Sequence, residues 1–162
     1  MSLEETLGLR LRGRVTVVGI GNPLRGDDAA GCLVARSLRS APGLEAIEAE
    51  EVPENHLGAV AASRPDTIVL VDAVDLGAAP GSLALVETAE LARFTPTTHR
   101  VPLDLLATWL GRETGAEVLL VAVQPRRIGW GEPVSPEVGE AARLVAATLN
   151  RALENHAGGS PC

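Results

Sequence analysis

The sequence predicts an α/β fold, a three-layer α/β/α sandwich with a mixed five-stranded sheet. Three observations lead there. Strand-like and helix-like patterns alternate along the 162 residues, the habit of chains whose helices pack back onto a sheet. The runs Thr67–Val71 and Val118–Val123 are apolar almost throughout, which suits central strands covered on both faces. The link from Ala73 to Gly81, crowded with Gly77, Pro80 and Gly81, is shorter than the roughly dozen residues a parallel crossover needs. The fourth strand is therefore expected to be antiparallel, at an edge.

In order, strands are expected at 14–20, 45–51, 66–72, 82–87 and 117–123. Helices are expected at 27–40, 54–63, 101–112 and 136–154. The first strand, Val15 to Ile20, stops at Gly19-Ile20-Gly21, and the turn Asn22-Pro23-Leu24-Arg25-Gly26 leads to Asp27-Asp28 at the start of the first helix. A strand–loop–helix junction of this kind holds ligands at the carboxyl end of a strand. Two carboxylates there would repel a pyrophosphate and attract a metal ion or a cation. The dinucleotide fingerprint would also place a third glycine where Leu24 stands. Asp27 has an ordinary reading as a helix N-cap; with that role filled, Asp28 is the better functional candidate. No internal repeat is visible. Residues 1–155 read as one domain and 156–162 as a flexible tail.

Composition removes several classes of function. Acids outnumber basic residues 21 to 14, for a formal charge of −7, and no basic cluster offers a grip on nucleic acid. Every basic residue is Arg, so lysine Schiff-base chemistry is excluded. Phe94, Trp109 and Trp130 are the whole aromatic complement, too few for stacking on bases or sugars. No stretch suits a bilayer span or a signal peptide, so no membrane association and a cytoplasmic location are expected. Cys32, within the first helical pattern, and Cys162, the last residue, make no disulfide framework.

The topology gathers the remaining polar residues at one rim. Asp28 follows strand one, Asp72 ends strand three, Gln124-Pro125 ends strand five, and His99 lies just before the third helix. Asp72 alone would pass for a turn cap and His99 for a surface residue; their convergence is what points to function. Two carboxylates and an imidazole form an incomplete shell for a borderline divalent ion such as zinc or nickel, with positions open to water or substrate. Asp75 and His56 are nearby alternatives; His56, beside Leu57, reads as structural, and His156 falls in the tail.

The chain resembles the hydrogenase maturation proteases. The resemblance rests on Gly19-Ile20-Gly21-Asn22 with Asp27-Asp28, on Val52-Pro53-Glu54-Asn55, and on Ile68-Val69-Leu70-Val71-Asp72-Ala73. It continues through Thr97-Thr98-His99 with Pro102-Leu103, and Gln124-Pro125 with Ile128-Gly129. It covers nearly the whole chain, in order. The Pro-Glu-Asn, Thr-Thr-His and Gln-Pro pieces are most similar to the branch acting in hydrogenase 3 maturation. The resemblance implies an aspartic-type endopeptidase that removes the C-terminal extension of a nickel-loaded hydrogenase large-subunit precursor. It implies Asp28, Asp72 and His99 as both the catalytic and the metal-binding residues. The metal it implies is nickel carried by the substrate, with zinc or cadmium expected to substitute in vitro. Two positions depart from the family pattern. Ala29 replaces the usual glycine after the acidic pair, a change a helix tolerates. Glu48-Ala49-Glu50 stands where the family often has Asp-Gly-Gly at the end of strand two.

Amide hydrolysis at such a site would use the metal to polarise a carbonyl and a water, with one carboxylate as general base. A serine nucleophile is disfavoured because no Gly-x-Ser-x-Gly elbow is present. Asn22 and Gln124 are candidate substrate-binding residues, and the edge strand could pair with an extended substrate tail. The alternative is a non-catalytic metal-dependent or nucleotide-binding module on a Rossmann-like scaffold.

Overall fold

A computed structural model of the chain describes residues 1–94 and 101–158. His99, with the whole Thr97-Thr98-His99 motif, and residues 159–162 of the expected tail lie outside the described residues. Five strands, β1 (Val15–Ile20), β2 (Leu44–Glu50), β3 (Thr67–Ala73), β4 (Leu83–Glu87) and β5 (Glu117–Val123), form one sheet in the order β2-β1-β3-β5-β4. The pairs β1–β2, β1–β3 and β3–β5 are parallel, and β4 runs antiparallel to β5 at the edge. The fold class, the five strands and the antiparallel edge are as the sequence predicts.

The helices are α1 (Leu3–Arg10), α2 (Ala30–Arg36), α3 (Leu57–Ala62), α4 (Leu103–Thr114) and α5 (Pro136–Gly158). Tight 3-10 turns at Gly26–Ala29 and Pro53–His56 lead into α2 and α3, and a third spans Thr88–Arg93. The expected helix at 27–40 is thus a 3-10 turn followed by a shorter α-helix. The α5 helix continues to Gly158, past the expected tail boundary at 155.

Alternation along the strands splits the core into two layers. Val18, Ile20, Ile68, Leu70, Leu120 and Ala122 face α3 and α4, whose Val60, Leu103, Leu106 and Leu110 complete that layer. Val15, Val17, Val69, Val71 and Val121 face α1, α2 and α5. The spacing of Leu103, Leu106, Ala107 and Leu110, and of Val138, Ala141, Ala142, Val145 and Leu149, gives α4 and α5 their buried stripes. The central strands are buried at every position in β1 and β3.

The α1 helix has no counterpart in the sequence reading. Its signal was present: Ser2 and Glu5 form a capping box, the Glu5 N–H donating to Ser2 Oγ at 3.1 Å and the Ser2 N–H to Glu5 Oε2 at 2.8 Å. Only Leu7 is buried within the helix, so its apolar periodicity is faint.

Close packing of α2 on the sheet fixes the geometry of the carboxyl rim. A Cβ on Gly31 would lie 2.3 Å from the Val71 carbonyl oxygen and 2.4 Å from that of Ile20. A Cβ on the facing Gly19 would lie 2.2 Å from the Gly31 carbonyl oxygen. Only glycine at both positions lets the start of α2 rest directly across the ends of β1 and β3.

Candidate functional site

The chain leaves β1 and folds back tightly. Gly21 adopts a φ of 126°, and a Cβ there would lie 1.9 Å from the Asp28 carbonyl oxygen, so the return at Asp28 requires glycine. The Gly21 N–H donates to the Glu50 carbonyl at 2.8 Å, tying the turn to the end of β2. Asn22 closes an Asx turn, its Oδ1 accepting the Leu24 N–H at 2.8 Å, and its amide donates to Glu51. The Asn22 N–H donates to Asp28 Oδ2 at 2.9 Å. These bonds place the Asp28 carboxylate beyond the end of β1, with Asp28 fully buried.

Asp72 lies on the neighbouring strand and is also buried. It pairs in register with Ala122 of β5. By alternation it shares the face of Ile68 and Leu70, the side covered by α3 and α4. The structure therefore brings Asp28 and Asp72 to the carboxyl ends of adjacent parallel strands. Two buried carboxylates, with His99 outside the described residues, offer hard oxygen donors that fit part of a divalent ion's shell. Among the described residues, no group of three His, Cys, Asp or Glu side chains is placed to hold a metal.

Asp27 is not a helix cap. The residue at the cap position of the 3-10 turn is Arg25, which makes no side-chain cap bond. Asp27 instead accepts four hydrogen bonds from the segment that follows β5. Its Oδ2 takes the N–H groups of Arg126 at 2.8 Å and Arg127 at 3.2 Å and the Ser135 hydroxyl at 2.9 Å; its Oδ1 takes the Ser135 N–H at 2.7 Å. The Asp27 N–H returns a bond to the Arg127 carbonyl at 3.1 Å, and the Gly131 N–H donates to the Leu24 carbonyl at 3.0 Å. The adjacent acids thus divide: Asp27 clamps two loops together, and Asp28 holds its carboxylate at the rim. Sequence reasoning missed this clamp because Ser135 is more than a hundred residues away.

Gln124 and Asn22 are both at this rim and both buried. The Gln124 carboxamide accepts the Leu76 and Ala78 N–H groups and donates to Asp75 Oδ1 at 3.3 Å and to the Pro125 carbonyl at 3.1 Å. Both side-chain amides therefore bond within the chain and brace the loops around the rim. Asp75 also accepts the Gly77 N–H at 3.0 Å. His56 ends the turn before α3, partly exposed.

Cys32 lies directly beneath the site loop. Its Sγ donates to the Gly21 carbonyl at 3.3 Å, and burial pushes the thiol pKa up to about 11. It is a neutral packing group, not a nucleophile.

At the end of β2, Glu50 adopts a φ of 54°, in the left-handed region that glycine favours. This is the stretch Glu48-Ala49-Glu50 that departs from the family pattern. The backbone there takes a conformation that glycine favours, although the residue is glutamate.

Comparison with known proteins agrees with this architecture. Residues 34–152 match the family model described as "HycI: Hydrogenase maturation protease"; the match begins downstream of Asp28 and includes Asp72. The hydrogenase 3 maturation protease of Escherichia coli K12 is 33% identical over 133 residues, spanning 80% of this chain and 85% of that protein. The crystal structure of a [NiFe] hydrogenase maturation protease, HycI, from Thermococcus kodakarensis KOD1 superposes with a TM-score of 0.85 at 32% identity, covering 93% of this chain and 99% of that one. The hydrogenase maturating endopeptidase HybD from E. coli has a TM-score of 0.71 at 25% identity, covering 88% and 93%. The chain belongs to the hydrogenase maturation protease family.

Proposed function

We propose that this protein is the endopeptidase that trims the C-terminal extension from a nickel-loaded [NiFe]-hydrogenase large-subunit precursor, acting in the cytoplasm. The nucleotide-binding alternative is not favoured by its relatives. The observation that carries the reading is the pair of buried carboxylates, Asp28 and Asp72, at the carboxyl ends of adjacent strands in a chain of this family.

In this reading nickel arrives as part of the substrate. Asp28 and Asp72, with His99 as the expected third group, take up positions that the precursor's own ligands leave open. Two carboxylates alone are a weak resident metal site, which makes recognition depend on a metal already seated in the precursor. The ion supplies polarisation of the scissile carbonyl and of water. The chain supplies the aspartic-type acid–base work. A water oxygen adds to the carbonyl carbon as its proton passes to one rim carboxylate. Collapse of the tetrahedral adduct breaks the C–N bond and delivers that proton to the departing amine. Asn22 and Gln124 act by bracing the loops that carry these groups, since their amides already bond within the chain.

Mass spectrometry of the precursor after incubation tests this. One cut near the C-terminus of the nickel-loaded form, with the nickel-free form left intact, is expected. Equal cleavage of both forms would reject metal-guided recognition, and no cleavage of either would reject the activity.

A further inference from the structure

Beside the rim, the segment after β5 and the turn after β1 border an open pocket of about 330 Å³ lined by Arg25, Arg126 and Arg127 together with Asp75 and Gln124. Three of the chain's arginines converge here although the protein's formal charge is −7. Arg126 is committed to Glu137, its Nη2 2.7 Å from Oε1. Asp75 is engaged by Gln124 and Gly77. Among the described residues, Arg25 and Arg127 form no ion pair.

Arg25 is held as though for a ligand. Its guanidinium lies over the ring of Trp130, 5.6 Å from the centroid, a stack that fixes the plane of the cation. Its Nε is buried and has no hydrogen-bond partner among the described residues. Trp130 itself is 67% exposed and Leu24, next to Arg25 in the chain, 65% exposed, so apolar surface in contact with solvent adjoins the Arg25 side of the pocket. A planar, oriented cation with an unused buried donor matches a carboxylate. The pocket is also fixed relative to the rim: Asp27 accepts the N–H groups of Arg126 and Arg127 and directly precedes Asp28.

We propose that Arg25 and Arg127 form a subsite for an acidic side chain of the precursor, in the segment flanking the cleaved bond, with Trp130 and Leu24 covering the neighbouring backbone. This rests on the reading that the precursor is the substrate. The subsite adds selectivity by charge, where the rim carboxylates select for metal.

The test compares wild type, Arg127→Gln and the Arg25→Gln/Arg127→Gln double variant on nickel-loaded precursor. The double variant is expected to raise KM about tenfold with kcat little changed, and Arg127→Lys to recover most of the loss. Unchanged KM in the double variant would overturn the proposal. Arg127 is exposed, so Arg127→Gln remains informative if the double variant folds poorly. Precursor binding is read separately from Trp130 fluorescence in a Trp109→Phe background, where Trp130 is the remaining tryptophan. Binding that weakens in the double variant, in a wild type that never cuts, would support the subsite while rejecting the protease reading. A wild type that neither binds nor cuts would reject both. A precursor whose acids flanking the scissile bond are changed to amides should be indifferent to the two arginine changes. A persisting arginine effect on that precursor would overturn the assignment.

Discussion

At the carboxyl rim of the sheet Asp27, Asp28 and Asp72 are at most 1% exposed, while at the amino rim Glu87 and Glu117 share Arg10 in ion pairs about 30–40% open to solvent. The exposed cluster ties the end of α1 to β4 and β5 with flexible side chains that water also solvates. Asp27 and Asp28 are held by backbone N–H groups, and Asp27 by a hydroxyl as well, in fixed directions. An exposed pair contributes little and tolerates loss. A buried carboxylate is costly to strand, so its placement signals either a clamp or chemistry. Asp27 shows the clamp, and the chemistry proposed for Asp28 would set the second outcome beside it.

The largest effect expected from breaking this contrast is on activity. Asp28→Asn keeps the size and the bond from the Asn22 N–H but removes the charge. Precursor processing should fall about 100-fold or more while the melting temperature stays nearly unchanged, as read by timed mass spectrometry and calorimetry. Arg10→Ala, at the opposite rim, should process at the wild-type rate; a comparable fall there would erase the functional distinction between the rims.

Next comes the clamp. Asp27→Ala strands the Arg126, Arg127 and Ser135 N–H groups, and each buried donor left without an acceptor costs about 1–3 kcal/mol. With partial rehydration we expect about 3 kcal/mol lost in urea denaturation. A loss below about 1 kcal/mol would show that the loops hold together without it.

The sheet and the position of Asp72 were legible because apolar runs and the short Ala73–Gly81 link are local signals. Asp28 was singled out by elimination, on the premise that Asp27 served as a cap. That premise fails, yet the division of labour survives, because Asp27 is occupied by Ser135 and the Arg126–Arg127 backbone instead. No local pattern announces such partners: they meet only after β5 has taken its place two strands from β1. The Arg25–Trp130 stack was hidden for the same reason. The α1 helix was missed although Ser2-Leu3-Glu4-Glu5 carries a capping-box spacing, since its burial is nearly confined to Leu7.

A smaller effect sharpens the amino-rim side. The Arg10 guanidinium holds the Glu87 carboxyl below the usual carboxylate range. A folded-state pKa below the unfolded value of about 4.3 stabilises the protein at pH above that value, and the contribution is lost as pH falls through the lowered folded pKa. Arg10→Ala should therefore cost about 1 kcal/mol or less at pH 7. The gap from wild type should close during acid titration followed by circular dichroism. A gap that widens in acid would contradict the assignment.

The smallest effect concerns the one strained acid beside the buried ones. Left-handed backbone costs a non-glycine residue about 1–2 kcal/mol, and glycine's greater unfolded-state freedom returns part of that. Glu50→Gly should raise stability by about 0.5 kcal/mol in chemical denaturation. A loss of stability would mean that the Glu50 side chain is itself in use.

The clamp at Asp27 has a consequence for descent. Residues 22–28 and 125–135 are remote along the gene, yet a carboxylate carried by the first binds the backbone of the second. Neither stretch can drift alone. A lineage that replaces the acid at 27 must rebuild the later segment in the same episode, or lose the alignment of the neighbouring acid at 28. Insertions and deletions should therefore be rarer in the Arg126–Ser135 segment than in the turn at Pro42 and Gly43, which are both exposed. The two loops should then behave as a single character, and a comparison of many family members is expected to find their changes arriving together.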